Sequence, residues 1–172
     1  MEQTLEKYKK QFENLNTAKK GDRMAPHKAV LLLAIMELVD EGVITTEKIE
    51  LTEDLCIRFL GIWYENIGRN PLYKPNIDKP FWHMQNEPFY HLKMKDDSDL
   101  ASIGNPYSER KLRENTYAVI DKELFELMRN EATCGMLRIS LTKTYLQGWN
   151  VGLSPSVMPA LLVLEMLIRM VA

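Results

Sequence analysis

Cysteine is scarce in this sequence. Its two cysteines, Cys56 and Cys134, form neither a C-x-x-C pair nor a dense framework, which excludes a disulfide-stapled secreted scaffold and a cysteine-rich zinc site. Both lie in apolar helical patterns, so we expect free, buried thiols. All three histidines precede Leu92, and the rest of the chain lacks the histidine-rich patch of a metal-dependent nuclease. We therefore expect a binding protein with no catalytic residues, no metal and no cofactor.

A net positive charge and a long apolar run are also missing. Lys and Arg number 22 against 24 Asp and Glu, a formal net charge of −2, so a surface for polyanions requires local segregation of charge. The N-terminal MEQTLEKYKK contains no export signal. The apolar tail VMPALLVLEMLIRMVA is shorter than the roughly 20 residues of a membrane span and carries Glu165 and Arg169. We expect a cytoplasmic protein without membrane contact.

What is present is mainly helical periodicity. The 172 residues, 45% of them hydrophobic, fit one domain, which we place at 1–150. Residues 151–172 are expected to form an apolar helix or tail that packs on the domain, contacts a second subunit or continues into a longer protein. A first helix over 2–18 is indicated by an apolar stripe at three- and four-residue spacing: Leu5, Tyr8, Phe12 and Leu15.

Two further helices have recognisable ends. Pro26 suits the first turn of a central helix that is apolar on every side, and Gly42 suits its end. A short extended segment around residues 49–51 leads to Thr52, whose hydroxyl is expected to cap a third helix. Two more helices are predicted towards the C-terminus, one from Asp121 and one over 131–147.

Residues 80–95 predict a β-hairpin. The stretch PFWHMQNEPFYHLKMK is interpreted as two short strands around a turn near Asn86 and Glu87, which would set His83 opposite His91. The order helix, helix, short strand, helix, hairpin predicts an α+β, mainly α, winged-helix-like domain with the hairpin as its wing. Many small α+β domains share this order, so it does not define a function.

Basic side chains stand at the entrance of the central helix. A helix N-terminus favours anions, so cations there are mildly destabilising, by about 0.3–1 kcal/mol each. Arg23, His27 and Lys28 together would form an anion site suited to a nucleic-acid phosphate. The alternative is that Lys28 is solvated, His27 is a turn residue, and Arg23 pairs with Asp22 or a distant carboxylate.

Charge is segregated along the chain. Residues 19–28 contain four Lys or Arg and one acid, and residues 69–95 contain five and two, whereas residues 37–54 contain seven acids and one Lys. The basic groups concentrate at the helix entrance, in the proline-rich loop with Lys74 and Lys79, in the predicted hairpin and in SERKLR. If the fold joins them, they form the footprint of a backbone-binding protein; otherwise they are scattered solvated side chains.

Three segments resemble a known family. APHKAVLLLAIMEL, then PFWHMQNEPFYHL, and finally ATCGMLRISLTKTYL are similar to the sulfur-binding domain of phosphorothioate-dependent HNH restriction endonucleases, over roughly residues 20–148. The family's Ala-Pro-His-Lys turn corresponds to residues 25–28. Its loop with a Tyr or Pro corresponds to Tyr73 and Pro75, and its Phe-Trp and following turn correspond to residues 81–86.

The resemblance implies binding of double-stranded DNA in which sulfur replaces a non-bridging phosphate oxygen, with a nuclease as fused domain or partner. Tyr73 and Pro75 would then line the sulfur pocket, and Arg23 and Arg110 would supply charge. Amide and imidazole groups suit base edges, so His83 and Gln85 are candidates for base contacts. The alternatives are a winged-helix protein-interaction domain, with the tail as surface of a homodimer, or a reader of another DNA modification.

Overall fold

The computed structural model describes residues 1–70, 72–104, 107–149 and 158–171. Most of these residues are helical. The α-helices are α1 (Glu2–Glu13), α2 (His27–Asp40), α3 (Glu53–Asn66), α4 (Asp78–His83), α5 (Glu109–Asn115), α6 (Lys122–Arg129), α7 (Glu131–Leu141) and α8 (Met158–Val171). Short 3-10 turns cover Met84–Asn86 and Leu100–Ile103, and a π-helical turn, Thr142–Leu146, continues α7.

Within the described part of the chain, five short strands form two antiparallel sheets. The strands are β1 (Lys19–Lys20), β2 (Arg23–Met24), β3 (Lys48–Ile49), β4 (Tyr90–Met94) and β5 (Thr116–Ile120). β1 and β2 form a small hairpin, and β5 lies between β3 and β4 in the second sheet. The predicted class, α+β and mainly α, is confirmed.

Helix α2 is the centre of the core, as its composition predicts. All eight residues from Ala29 to Met36 are buried, because α2 packs against α3, α4, α6 and α7. Pro26 is its N-cap residue, and its missing N–H removes a donor that would have no partner there. Gly42, with a φ of +73°, lies just beyond the helix end, where a left-handed conformation favours glycine.

Helix α1 buries its predicted apolar stripe but is shorter than expected. Helix α1 ends at Glu13, and Leu15, although buried, lies beyond it, where its backbone N–H donates to the hydroxyl of Tyr145 at 2.9 Å. The Thr52 hydroxyl accepts the backbone N–H of Leu55 at 3.2 Å, so the predicted cap of α3 is confirmed.

The predicted hairpin over 80–95 is wrong in its first half. Residues 80–86 are helical, with Phe81 and Met84 buried three positions apart, a spacing that suits one face of a helix. The second half is a strand, but its partner is β5, with Tyr90 opposite Ile120. Five alternating residues cannot identify a partner more than 20 positions away, so the local pattern predicts a hairpin with the adjacent segment instead.

The two histidines of that segment therefore do not face each other. The Nε2 of His83 lies 2.8 Å from the hydroxyl of Tyr107, at the end of α4. The Nε2 of His91, on β4, lies 3.1 Å from the Asp121 carboxylate. The expected wing is absent from residues 80–95, and β4 instead forms one edge of the three-stranded sheet.

The C-terminal helices are placed as predicted. Helix α6 begins after Asp121, and α7 with its π-helical turn covers 131–146. Helix α8 packs on α3, where Glu165 accepts the Tyr64 hydroxyl at 2.7 Å and Arg169 pairs with Glu53 and Glu109. Within the described residues, none of the helices combines the length and apolar content that crossing a membrane requires. Both cysteines are buried free thiols, as expected.

Candidate functional site

A cavity of about 420 Å³ opens at the entrance of α2. It lies where the segment before β1, the start of α2, the proline-rich loop and α4 meet. Five of its lining side chains are basic, namely Lys20, His27, Lys28, Lys79 and His83. The others are small, apolar or uncharged, namely Asn16, Thr17, Ala18, Ala25, Tyr73, Pro80 and Asn86. Among the described residues that line it, none carries a carboxylate.

The lining divides by burial into two parts. We call the buried and half-buried groups Thr17, Ala25, His27, Lys28, Tyr73 and Pro80 the floor. We call the exposed basic groups Lys20, Lys79 and His83 the rim. The fold thus joins two of the basic segments of the sequence, residues 19–28 and residues 69–95, around one concavity.

His27 is held in the floor by aromatic and backbone contacts. Its Nε2–H donates to the carbonyl of Lys74 at 2.6 Å, and its ring centroid lies 4.6 Å from that of Trp63 and 5.6 Å from that of Tyr73. Burial lowers the pKa of His27 below its ordinary value of 6.5, and the Lys74 carbonyl opposes this shift. At neutral pH the ring is therefore uncharged.

Lys28 is buried, so the interpretation of a solvated lysine is wrong. The side chain is 6% exposed, and its Nζ lies 2.5 Å from Oε1 of Glu87, a carboxylate that is 5% exposed. The same oxygen accepts the backbone N–H of Asn16 at 2.9 Å. A buried charge requires such a partner, because desolvation without one costs several kcal/mol.

Tyr73 forms one wall of the floor. Its ring is 7% exposed and lies under Lys20, whose Nζ is 5.0 Å from the ring centroid. Its hydroxyl donates to the carbonyl of Arg23 at 3.1 Å. The aromatic ring therefore faces the cavity region with its polar atom already satisfied by β2.

Arg23 does not line the cavity. Among the residues that the structure describes, it pairs with neither Asp22 nor a distant carboxylate. Its guanidinium donates to the carbonyls of Gln147 and Gly148 and lies over the ring of Trp149. These carbonyls follow the π-helical turn after α7, where helix carbonyls lack intrahelical donors. The partners of Arg23 thus lie 124 or more positions further along the chain.

The rim carries the unpaired charge of the site. Within the described residues, Lys79 makes no ion pair, and Lys20 makes none either, although its Nζ donates to the carbonyl of Leu72 at 2.9 Å. His83, the third rim residue, lies beside the hydroxyl of Tyr107. Partial burial, followed by the charges of Lys28 and Lys79, lowers its pKa, so His83 is also neutral at neutral pH.

The remaining predicted site residues lie outside the cavity lining. Lys74 is exposed and contributes its carbonyl to His27, and Pro75 beside it is half-buried. Gln85 donates its amide to the carbonyl of Trp82 at 3.0 Å. Arg110 is an exposed residue of α5 that pairs with Glu114 at 2.9 Å.

Trp82 differs from the usual aromatic residue of a core. It is half-buried, and its ring is stacked on that of Tyr107, with centroids 5.0 Å apart and an interplanar angle of 18°. This pair lies next to His83 and therefore extends the rim with aromatic surface. Tyr107 has no neighbouring motif in the sequence that identifies it, whereas Lys20 belongs to the basic run at 19–28 and was detectable.

Comparison with models of protein families and with curated proteins finds no match for this chain. Function is therefore inferred from the residues of the cavity and their chemistry.

Proposed function

We propose that this chain is a DNA-binding module whose cavity receives a phosphorothioate group of the DNA backbone. The observation that carries the proposal is the division of the cavity into a cationic rim and a floor that includes the carbon surface of Ala25, Tyr73 and Pro80. The rim lysines Lys20 and Lys79 are free to neutralise an anion, and the described lining contributes no carboxylate to repel one. Lysines placed in this way attract a phosphate backbone independently of base sequence.

The floor favours a soft, weakly hydrated atom. Tyr73, Pro80 and Ala25 present carbon surface, and the Tyr73 hydroxyl is directed to the carbonyl of Arg23. Burying an oxygen there without a hydrogen-bond partner would lose its hydration, whereas sulfur is larger and more weakly hydrated. The same cavity therefore combines attraction for a phosphate charge with preference for sulfur over oxygen.

The module is proposed to act in a modification-dependent restriction system, as a protein of the cytoplasm. Binding modified DNA is its own contribution, and a nuclease in a longer chain or a partner protein would cleave. This assignment rests on the resemblance of residues 25–28 and 81–86 to sulfur-binding domains together with the cavity that these two segments help to form.

The direct test compares matched duplexes that differ in one phosphorothioate. Fluorescence anisotropy at several salt concentrations should show tighter binding of the modified duplex, and weaker binding of both as salt rises. Equal affinity for the two duplexes would contradict the sulfur assignment, and absence of binding to either would contradict the DNA assignment.

A second candidate function is protein contact through α8. Its outward side chains Val163, Leu164, Leu167 and Ile168 are each at least 50% exposed, and apolar patches of this kind are typical of interaction sites. A homodimer formed in this way would be detected by sedimentation analysis, and its formation would depend little on salt.

A further inference from the structure

Lys28, the lysine in the floor of the cavity, forms an ion pair with a carboxylate that lies outside the cavity lining. Lys28 lines the cavity, whereas its partner Glu87 does not. Glu87 lies behind the wall, where one carboxylate oxygen binds both Lys28 Nζ, at 2.5 Å, and the backbone N–H of Asn16, at 2.9 Å. Asn16 also lines the cavity, so Glu87 supports two lining residues at once.

This pairing sets the charge of the floor. The carboxylate of Glu87 cancels the ammonium of Lys28, and His27 is uncharged at neutral pH because its burial disfavours the imidazolium. The uncompensated charges of the lining are then Lys20 and Lys79, both on the rim. The floor is electrically neutral although it contains a lysine.

A neutral floor and a cationic floor select different ligands. An unpaired ammonium is a compact, strongly hydrated charge, and it would bind the harder phosphate oxygen more strongly than sulfur. A neutral floor gives oxygen no such compensation for lost hydration, so the group that is easier to desolvate is preferred. The ligand preference of the cavity therefore depends on whether Lys28 is neutralised.

Stability alone does not account for the pair. Buried ion pairs contribute little net stability, because desolvation of both charges offsets their attraction, and apolar replacements are often as stable. Because stability does not explain why Lys28 and Glu87 are buried beside the cavity, we look for their role in the properties of the cavity. We infer that Glu87 is a specificity-determining residue, which neutralises Lys28 so that the cavity discriminates phosphorothioate from phosphate; this inference rests on the proposed function.

The test uses Glu87→Gln and the double variant Lys28→Met/Glu87→Gln. Glutamine keeps an oxygen that can accept from both Lys28 and Asn16 but removes the negative charge. We expect Glu87→Gln to bind unmodified DNA severalfold more tightly and to reduce the ratio of modified to unmodified affinity at least threefold. The salt slope for unmodified DNA should steepen by about 0.9, since one further cation reaches a phosphate.

The double variant removes both charges and leaves no unpaired ion. It should restore the affinity ratio to within about twofold of wild type and return the salt slope to its original value, by the same charge count. Glu126→Gln is the matched control, because it changes net charge equally but lines a different cavity. Thermal unfolding followed by circular dichroism identifies which variants fold.

The outcomes separate the inference from the proposed function. Wild type that does not bind DNA, or binds both duplexes equally, overturns the proposed function. Wild type that discriminates, together with a folded Glu87→Gln of unchanged ratio, overturns only the role of Glu87. If Glu87→Gln does not fold, the double variant decides: a wild-type ratio supports the inference and a lost ratio overturns it. If neither variant folds, Glu87 is a folding residue and the inference is overturned.

Discussion

Arg23 lies over the indole ring of Trp149, with its guanidinium carbon 4.9 Å from the ring centroid. The same guanidinium donates to the carbonyl of Gln147 at 3.1 Å and to that of Gly148. Trp149 in turn packs edge to face on Tyr73, with centroids 6.0 Å apart. Arg23 and Trp149 thereby connect the β1–β2 hairpin to the end of α7 and support the cavity wall from outside.

Arg23→Ala should therefore act on stability. Loss of its hydrogen bonds and ring contact is expected to lower the free energy of unfolding by about 1–2 kcal/mol, measured by urea denaturation. The salt slope of DNA binding should not change, because the guanidinium is engaged with protein carbonyls. Unchanged stability with a salt slope lowered by about 0.9 would instead identify the phosphate contact that the sequence predicted.

The parts of the fold that sequence predicted are those with strong local signals. Helix α2 was evident from its unbroken apolar run and α3 from the Thr52 cap, because both depend on neighbours within one or two turns. The strand partner of β4 was not evident from the sequence, since β5 lies more than 20 residues further along the chain. Residues 82–85 alternate between apolar and polar side chains yet are helical, because a run this short fits either period.

In the site, too, the residues with local signals were predictable from the sequence and their long-range partners were not. His27, Lys28, Tyr73, Lys79 and His83 were predicted and do line the cavity, because charge segregation and the resemblance both pointed to them. Their partners were not predictable. The bond from Lys28 to Glu87 spans 59 positions, and only tertiary packing brings such residues together.

The rim lysines should supply most of the electrostatic binding. Lys79→Ala and Lys20→Ala are each expected to lower the salt slope by about 0.9 and to weaken modified and unmodified DNA alike, because phosphate contacts carry no sequence information. Anisotropy titrations over a range of salt measure both effects. Lys122→Ala, in a different cavity, serves as control and should leave the slope intact; equal losses in all three variants would indicate only a general effect of net charge.

Tyr73 should determine discrimination. Tyr73→Ser removes apolar wall from the floor while leaving the rim lysines in place, so modified DNA should lose more affinity than unmodified DNA. Burial of one large soft atom against carbon is worth about 1–2 kcal/mol, which corresponds to about five- to thirtyfold in affinity. Tyr73→Phe, which loses only the hydroxyl bond to Arg23, should keep the discrimination. Equal losses on the two duplexes with Tyr73→Ser would contradict a sulfur pocket at this wall.

Acidification should destabilise the protein through His27. Because burial lowers its pKa in the folded state below 6.5, the unfolded chain takes up a proton first as the pH falls. The free energy of unfolding is therefore fully retained above about pH 7 and decreases as the pH drops below about 6.5, down to the lower folded-state pKa. His83, whose pKa is lowered as well, contributes in the same direction.

Urea denaturation between pH 5 and 8 measures this effect. His27→Gln keeps an amide that can donate to the Lys74 carbonyl but cannot titrate, so its free energy of unfolding should decrease less steeply between pH 7 and 5 than that of wild type. The variant should be less stable at pH 7.5, since the ring contact with Trp63 at 4.6 Å is lost. Parallel pH curves for wild type and His27→Gln would show that the floor histidine does not govern acid stability.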